Sequence, residues 1–149
     1  MTIWFADTSA LIKRYVREPG SDWLRHEIGR NEVVIAQITP IELSAALGRR
    51  FQQGIISRFA FYQARRMFLL HLNAGKYSLF NLNQRIINES MRLTFHRGLR
   101  AYDALQLATA LVARETFRQR DLVFLTADVA LEAVARTESF VTANPLTRE

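Results

Sequence analysis

Thr2-Ile3-Trp4-Phe5-Ala6, running straight into Asp7-Thr8-Ser9, is the stretch from which the architecture follows. The five residues before the aspartate are small, β-branched or aromatic, and none is charged. Such a short uninterrupted run reads as a strand covered on both faces, as strands of parallel sheets are. Asp, Thr and Ser are helix-capping types, so the chain should turn directly into a helix reaching about Tyr15. A strand that passes at once into a helix is the first half of a βαβ unit.

The same alternation continues along the chain. Pro19-Gly20 breaks it, and Ser21-Asp22 open a short helix carrying Trp23, Leu24 and Ile28. Val33–Ala36 is a second apolar run. Thr39-Pro40 then start a helix with proline at its first position, extending to Gly54. Ser57 caps a longer helix rich in Phe59, Phe61, Met67, Phe68 and Leu69 that ends at Gly75. Tyr77–Leu82 is a strand candidate, and Asn83 caps a helix closed by Gly98. From Ala101 to about Arg118 the helix is apolar almost all round, which predicts burial on several sides. Val123–Thr126 reads as a strand, Val129–Ala135 as a helix and Ser139–Thr142 as a last strand. No repeat, low-complexity tract or linker interrupts the 149 residues. The expectation is one α/β domain over residues 1–149, with a central parallel sheet flanked by helices on both faces.

Several function classes drop out on composition. The chain has no cysteine, which removes disulfides, thiolate zinc sites and thiol nucleophiles, and suits a reducing, cytoplasmic setting. His26, His71 and His96 lie far apart, without the spacing of a histidine metal site. The six glycines form no dinucleotide-binding or P-loop motif, and no GxSxG elbow is present. No basic segment with a long apolar stretch opens the chain, so no signal peptide is expected. No run approaches the roughly 18 apolar residues that cross a bilayer, so no membrane partner is expected.

Charge is more telling. Lys and Arg number 20 against 14 Asp and Glu, a formal +6, and only Lys13 and Lys76 are lysines. Arginine's planar fork matches phosphate oxygens, favouring a nucleic-acid or phosphorylated partner. An arginine-biased composition would give the same count, and composition alone leaves both readings open. The acids are placed by topology. In an open parallel sheet, ligands bind beyond the carboxyl ends of the strands. Asp7 follows the first strand and Asp128 the fourth. Glu42 stands in the first turn of the helix leaving the second strand. Asp103 opens the helix that returns to the fourth. Each also has a purely structural reading: Asp7 and Asp128 as helix caps, Glu42 as a capping-box partner of Thr39, Asp103 as a complement to a helix dipole. Together they gather on one rim, where two carboxylates about 4 Å apart repel by roughly 4 kcal/mol at an effective dielectric near 20. Such a rim takes up protons or a cation, and oxygen donors favour Mg²⁺ or Mn²⁺ over zinc.

The residues that carry these acids resemble a known family. Ile3-Trp4-Phe5-Ala6-Asp7-Thr8-Ser9-Ala10-Leu11, Thr39-Pro40-Ile41-Glu42-Leu43, Leu99-Arg100-Ala101-Tyr102-Asp103-Ala104-Leu105-Gln106-Leu107-Ala108-Thr109-Ala110 and Phe124-Leu125-Thr126-Ala127-Asp128 look like the four acidic motifs of PIN-domain nucleases, in the family's order. The length and the Asn144-Pro145 tail resemble VapC-type toxins of toxin–antitoxin pairs. The resemblance implies a Mg²⁺- or Mn²⁺-dependent endoribonuclease. Asp7 and Asp103 would be the main metal ligands, Asp128 would bind the metal directly or through water, and Glu42 would position water or a second ion. Thr8, Ser9 and Thr126 match hydroxyl neighbours that orient the carboxylates. Arg100, three residues before Asp103, is read either as a contact to substrate phosphate or as a partner of a neighbouring acid. The resemblance also implies homodimerisation and a small antitoxin that blocks the site. The phenylalanines Phe51, Phe59, Phe61 and Phe68 are mostly core candidates, with some available to a partner helix. Two other readings stay open: a non-catalytic RNA-binding or partner-binding domain, and an aspartate-based phosphatase. The latter would want a second acid two residues after Asp7, where Ser9 stands.

Overall fold

The opening run forms strand β1 (Ile3–Ala6), with all four residues buried. The structure is a computed structural model that describes residues 2–148; Met1 and Glu149, the outermost residues of the expected domain, lie outside them. β1 is central. It pairs in parallel with β2 (Glu32–Ala36) on one side and β4 (Leu122–Leu125) on the other, so that Phe5 stands beside both Val34 and Phe124. β3 (Tyr77–Phe80) lies outside β2 and β5 (Val141–Ala143) outside β4, every pair parallel, in the order β3-β2-β1-β4-β5.

Seven α-helices connect the strands among the described residues: α1 (Thr8–Leu11), α2 (Ser21–Ile28), α3 (Thr39–Gln52), α4 (Arg58–Asn73), α5 (Gln84–Arg97), α6 (Ala101–Thr116) and α7 (Val129–Thr137). Strand side chains alternate between faces. Ile3, Phe5, Val34 and Phe124 enter one core with Ile86 and Leu93 of α5, Leu107 of α6 and Leu131 of α7. Trp4, Ala6, Val33, Ile35 and Leu125 enter the other with Leu11, Leu24, Leu43, Leu47 and Phe68. The expected layering, helices on both faces of a parallel sheet, is what the protein has. α6 is buried almost continuously from Ala104 to Ala113, as its apolar circumference predicted.

Element ends differ from the sequence reading where partners run out. The helix expected from Asp7 to Tyr15 is α1 followed by a 3-10 turn, Ile12–Arg14. β3 stops at Phe80 instead of Leu82 because β2 ends at Ala36; beyond that point the Gln37 side chain accepts the Leu82 N–H at 2.7 Å. The last strand begins at Val141, since Ser139 is spent in a left-handed turn with φ 65°. Of the four phenylalanines of the α3–α4 hairpin, Phe68 is buried, Phe51 and Phe61 are half-buried with rings 5.7 Å apart, and Phe59 is exposed. Among the described residues no helix is long and apolar enough to cross a membrane.

The strand order makes one place special. The chain builds β1, β2 and β3 in one direction, then returns to set β4 against the other side of β1. The connections above β1 and β4 therefore diverge, and a crevice opens at the carboxyl ends of those two strands.

Candidate active site at the carboxyl edge of the sheet

Asp7 leaves the end of β1 inside that crevice. Its backbone N–H is still bonded to Leu125 O of β4 at 3.0 Å, which keeps the aspartate in line with the sheet, and the residue is only 3% exposed. Oδ1 accepts the Ala10 N–H at 3.0 Å, capping α1, and the Ser9 hydroxyl at 2.8 Å. Oδ2 accepts the Thr126 hydroxyl at 2.7 Å. Burial nonetheless dominates and pushes the carboxyl up to about 7; the bonds from Thr126, Ala10 and Ser9 pull against it, and the charge of Asp128 adds to the rise.

Ser9 and Thr126 lace β1 to β4 as well as holding Asp7. Ser9 Oγ accepts the Ala127 N–H at 3.0 Å, and Thr126 Oγ1 accepts the Asp128 N–H at 3.1 Å. Asp128 Oδ1 in turn accepts the Leu131 N–H at 3.0 Å and so caps α7. The capping reading of Asp7 and Asp128 is correct, and it does not compete with a role in the crevice: a cap oxygen at a strand-to-helix turn already sits on the ligand edge.

The capping-box reading of Glu42 is not what the structure shows. α3 starts one residue earlier than that motif needs, with Ile38 as its N-cap and Thr39 already in the first turn. The Glu42 side chain turns away from its own helix start. Its Oε1 accepts the Gln106 amide at 2.6 Å and the Thr8 hydroxyl at 3.2 Å. Burial raises the Glu42 carboxyl above its ordinary range, the bonds from Gln106 and Thr8 oppose this, and Asp103 adds to the rise. Asp103, in the first turn of α6, is raised chiefly by burial and then by Asp128, with Arg100 acting against both.

All four acids line one open cleft of about 460 Å³, together with Thr8, Ser9, Ile12, Arg49, Arg50, Tyr102 and Gln106. Among the described residues none of the four forms an ion pair with a basic side chain. Nor do any three carboxylates or imidazoles close around one point as they stand. The acids ring the cleft without converging, as like charges will when several of their oxygens are already held by caps and hydroxyls. The donor set still fits a hard divalent cation: every donor is oxygen, and burial leaves Asp7, Glu42 and Asp103 short of compensating charge.

Arg100, the N-cap of α6, is exposed and stands outside the cleft lining. The basic residues that do line it, Arg49 and Arg50 at the end of α3, escaped the sequence reading, because nothing local says that the tail of α3 passes the carboxyl edge. Gln106 escaped it too, although it stands one helical turn beyond Asp103 on the same face, a spacing that could have flagged it.

Fold and site together define a doubly wound α/β domain with an acidic crevice at its switch point. The sequence model of the PIN domain matches residues 4–137, and the chain belongs to the PIN-domain family. No curated protein matches it in sequence. Among solved structures, it is similar to a toxin–antitoxin complex from Klebsiella pneumoniae, with TM-score 0.63, 19% identity, and coverage of 95% of this chain and 96% of that one. It is also similar to VapBC2 from Rickettsia felis, bound to a DNA fragment from their promoter, with TM-score 0.62, 13% identity, and coverage of 95% and 98%. FitAcB from Neisseria gonorrhoeae gives TM-score 0.61 at 15% identity, covering 97% and 99%. At these identities the likeness is one of fold.

Proposed function

We propose that this protein is a divalent-metal-dependent endoribonuclease, the toxin of a toxin–antitoxin pair, acting in the cytoplasm and held in check by a small cognate antitoxin. The observation that carries the reading is the meeting of Asp7, Glu42, Asp103 and Asp128 in one cleft at the switch point of the sheet. Membership of the PIN-domain family and the fold shared with proteins from toxin–antitoxin complexes support it.

Asp7, Asp103 and Asp128 would hold Mg²⁺ or Mn²⁺. A bound dication supplies Lewis acidity, stabilising charge on a phosphoryl oxygen and easing removal of a proton from water. The chain's own groups supply the rest. Ser9 and Thr126 keep the Asp7 carboxylate aimed from the end of β1. Glu42, pinned through Oε1, has Oε2 left to orient the attacking water and take its proton, and a carboxyl raised by burial is suited to that task. Arg50 is braced by Glu18 at 3.3 Å, while Arg49 stands exposed on the cleft wall, where a phosphodiester would meet it.

Antitoxin-free protein should cleave structured RNA with Mn²⁺ or Mg²⁺ and stop with EDTA. Asp103→Asn should lose at least about a hundredfold in rate while keeping its fold by circular dichroism. RNA binding without cleavage would favour the non-catalytic reading, and hydrolysis of small phosphomonoesters alone would favour the phosphatase.

A further inference from the structure

Gln106 is 2% exposed, on a helix buried mostly through Ala and Leu. Its amide nitrogen faces three oxygens from two other elements: Glu42 Oε1 at 2.6 Å, Thr39 Oγ1 at 3.0 Å and Thr8 Oγ1 at 3.3 Å. An NH₂ group carries two hydrogens, so the three acceptors compete, and the shortest contact goes to the carboxylate. The other end of the amide is left over. Gln106 Oε1 is buried and has no hydrogen-bond partner among the described residues. A buried carbonyl without a donor is costly, and it is the kind of feature that asks for a reason.

The reason lies in what the opposite orientation would do. Turned over, the amide would press its oxygen against Glu42 Oε1, which can be tolerated only if Glu42 is protonated, and would leave its NH₂ at the end where no partner stands among the described residues. The orientation in the structure strands the carbonyl and gives the NH₂ to the carboxylate. A leucine would fill the same volume without an orphaned oxygen, but it would offer Glu42 no donor.

We infer that Gln106 is the positioning residue of the cleft, holding Glu42 as an ionised carboxylate with Oε1 pinned and Oε2 left for the ligand. The consequence for turnover rests on the nuclease reading; the grip on Glu42 does not. A charge-assisted bond of this kind acts in two ways. It favours the ionised form of Glu42, and it removes the side chain's freedom to swing off the reacting geometry, where displacements near 1 Å cost on the order of a hundredfold in rate.

Gln106→Leu, with Gln106→Met as a second variant of matched length, separates these effects from packing. In metal-free protein carrying ¹³C-labelled glutamate, the titration midpoint of the Glu42 carboxyl carbon should move to higher pH in either variant, assigned by its disappearance in Glu42→Gln. In RNA cleavage, kcat should fall about tenfold or more with KM changed less than about twofold. In the Glu42→Gln background the Gln106 substitution should cost nothing further, because its target is gone. An unchanged Glu42 midpoint overturns the inference, as does a kcat loss that multiplies with that of Glu42→Gln. Failure of the wild-type chain to cleave any RNA would overturn the nuclease reading instead, and the midpoint would still decide the role of Gln106.

Discussion

Asp7 is where structure and chemistry pull hardest against each other. Its carboxyl ends a central strand, caps a helix, accepts two hydroxyls and is still raised to about 7, because burial outweighs those bonds. Between its unfolded value of 3.8 and about 7 the folded chain keeps a proton that the unfolded chain releases. The metal-free protein therefore loses stability as pH rises through that window and levels off above it, by up to about 4 kcal/mol for a difference near three units. Asp7→Asn keeps the shape and removes the charge. Urea unfolding in EDTA should find it about 2–4 kcal/mol more stable than wild type at pH 8, with the gap narrowing at pH 5. Equal stabilities at both pH values would mean that burial does not raise the Asp7 carboxyl in the fold. The same proton makes cation binding pH-dependent: affinity should rise as pH climbs through about 7.

Helix and turn signals were the most legible part of the sequence, since they act over three or four residues. Asn83 accepts the Ile86 N–H at 2.9 Å, Ser57 the Ala60 N–H at 3.0 Å, and Gly98 closes α5 at φ 66°. Thr39-Glu42 shows where such rules stop. The spacing of a capping box is present, but a carboxylate offered a charge-assisted bond from another helix takes that instead. Glycine positions separate local from tertiary demands in a testable way. At Gly98 a Cβ would meet nothing within 4 Å among the described residues, so Gly98→Ala should cost only the left-handed backbone, about 1 kcal/mol. At Gly20, with φ 88°, a Cβ would lie 2.7 Å from Pro145 O, a backbone atom of the C-terminal 3-10 turn Pro145–Thr147. Gly20→Ala should therefore cost about 3 kcal/mol or more, and thermal unfolding should rank it clearly below Gly98→Ala.

Across the whole molecule, a chain of formal charge +6 keeps a pocket of four acids open at one edge of its sheet. A cation that binds the folded state alone stabilises it, by about 2.7 kcal/mol at a hundred times its Kd. Mn²⁺ or Mg²⁺ should therefore raise Tm in the wild type and leave Asp7→Asn and Asp103→Asn nearly unmoved; an equal rise in all three would place the ion elsewhere.

The short uninterrupted apolar runs, the capping residues and the glycine stops sufficed to order the strands and helices along the chain, and the parallel topology they implied sent Asp7, Glu42, Asp103 and Asp128 to a common edge. Those properties are local, or follow from connectivity, so a linear text can carry them. The contact of Gln106 with Glu42, the presence of Arg49 and Arg50 in place of Arg100, and the raised carboxyl of Asp7 came from the packed molecule. Each depends on how far apart side chains from distant segments stand and how much water lies between them, and desolvation and charge–charge energies have no value until those distances exist.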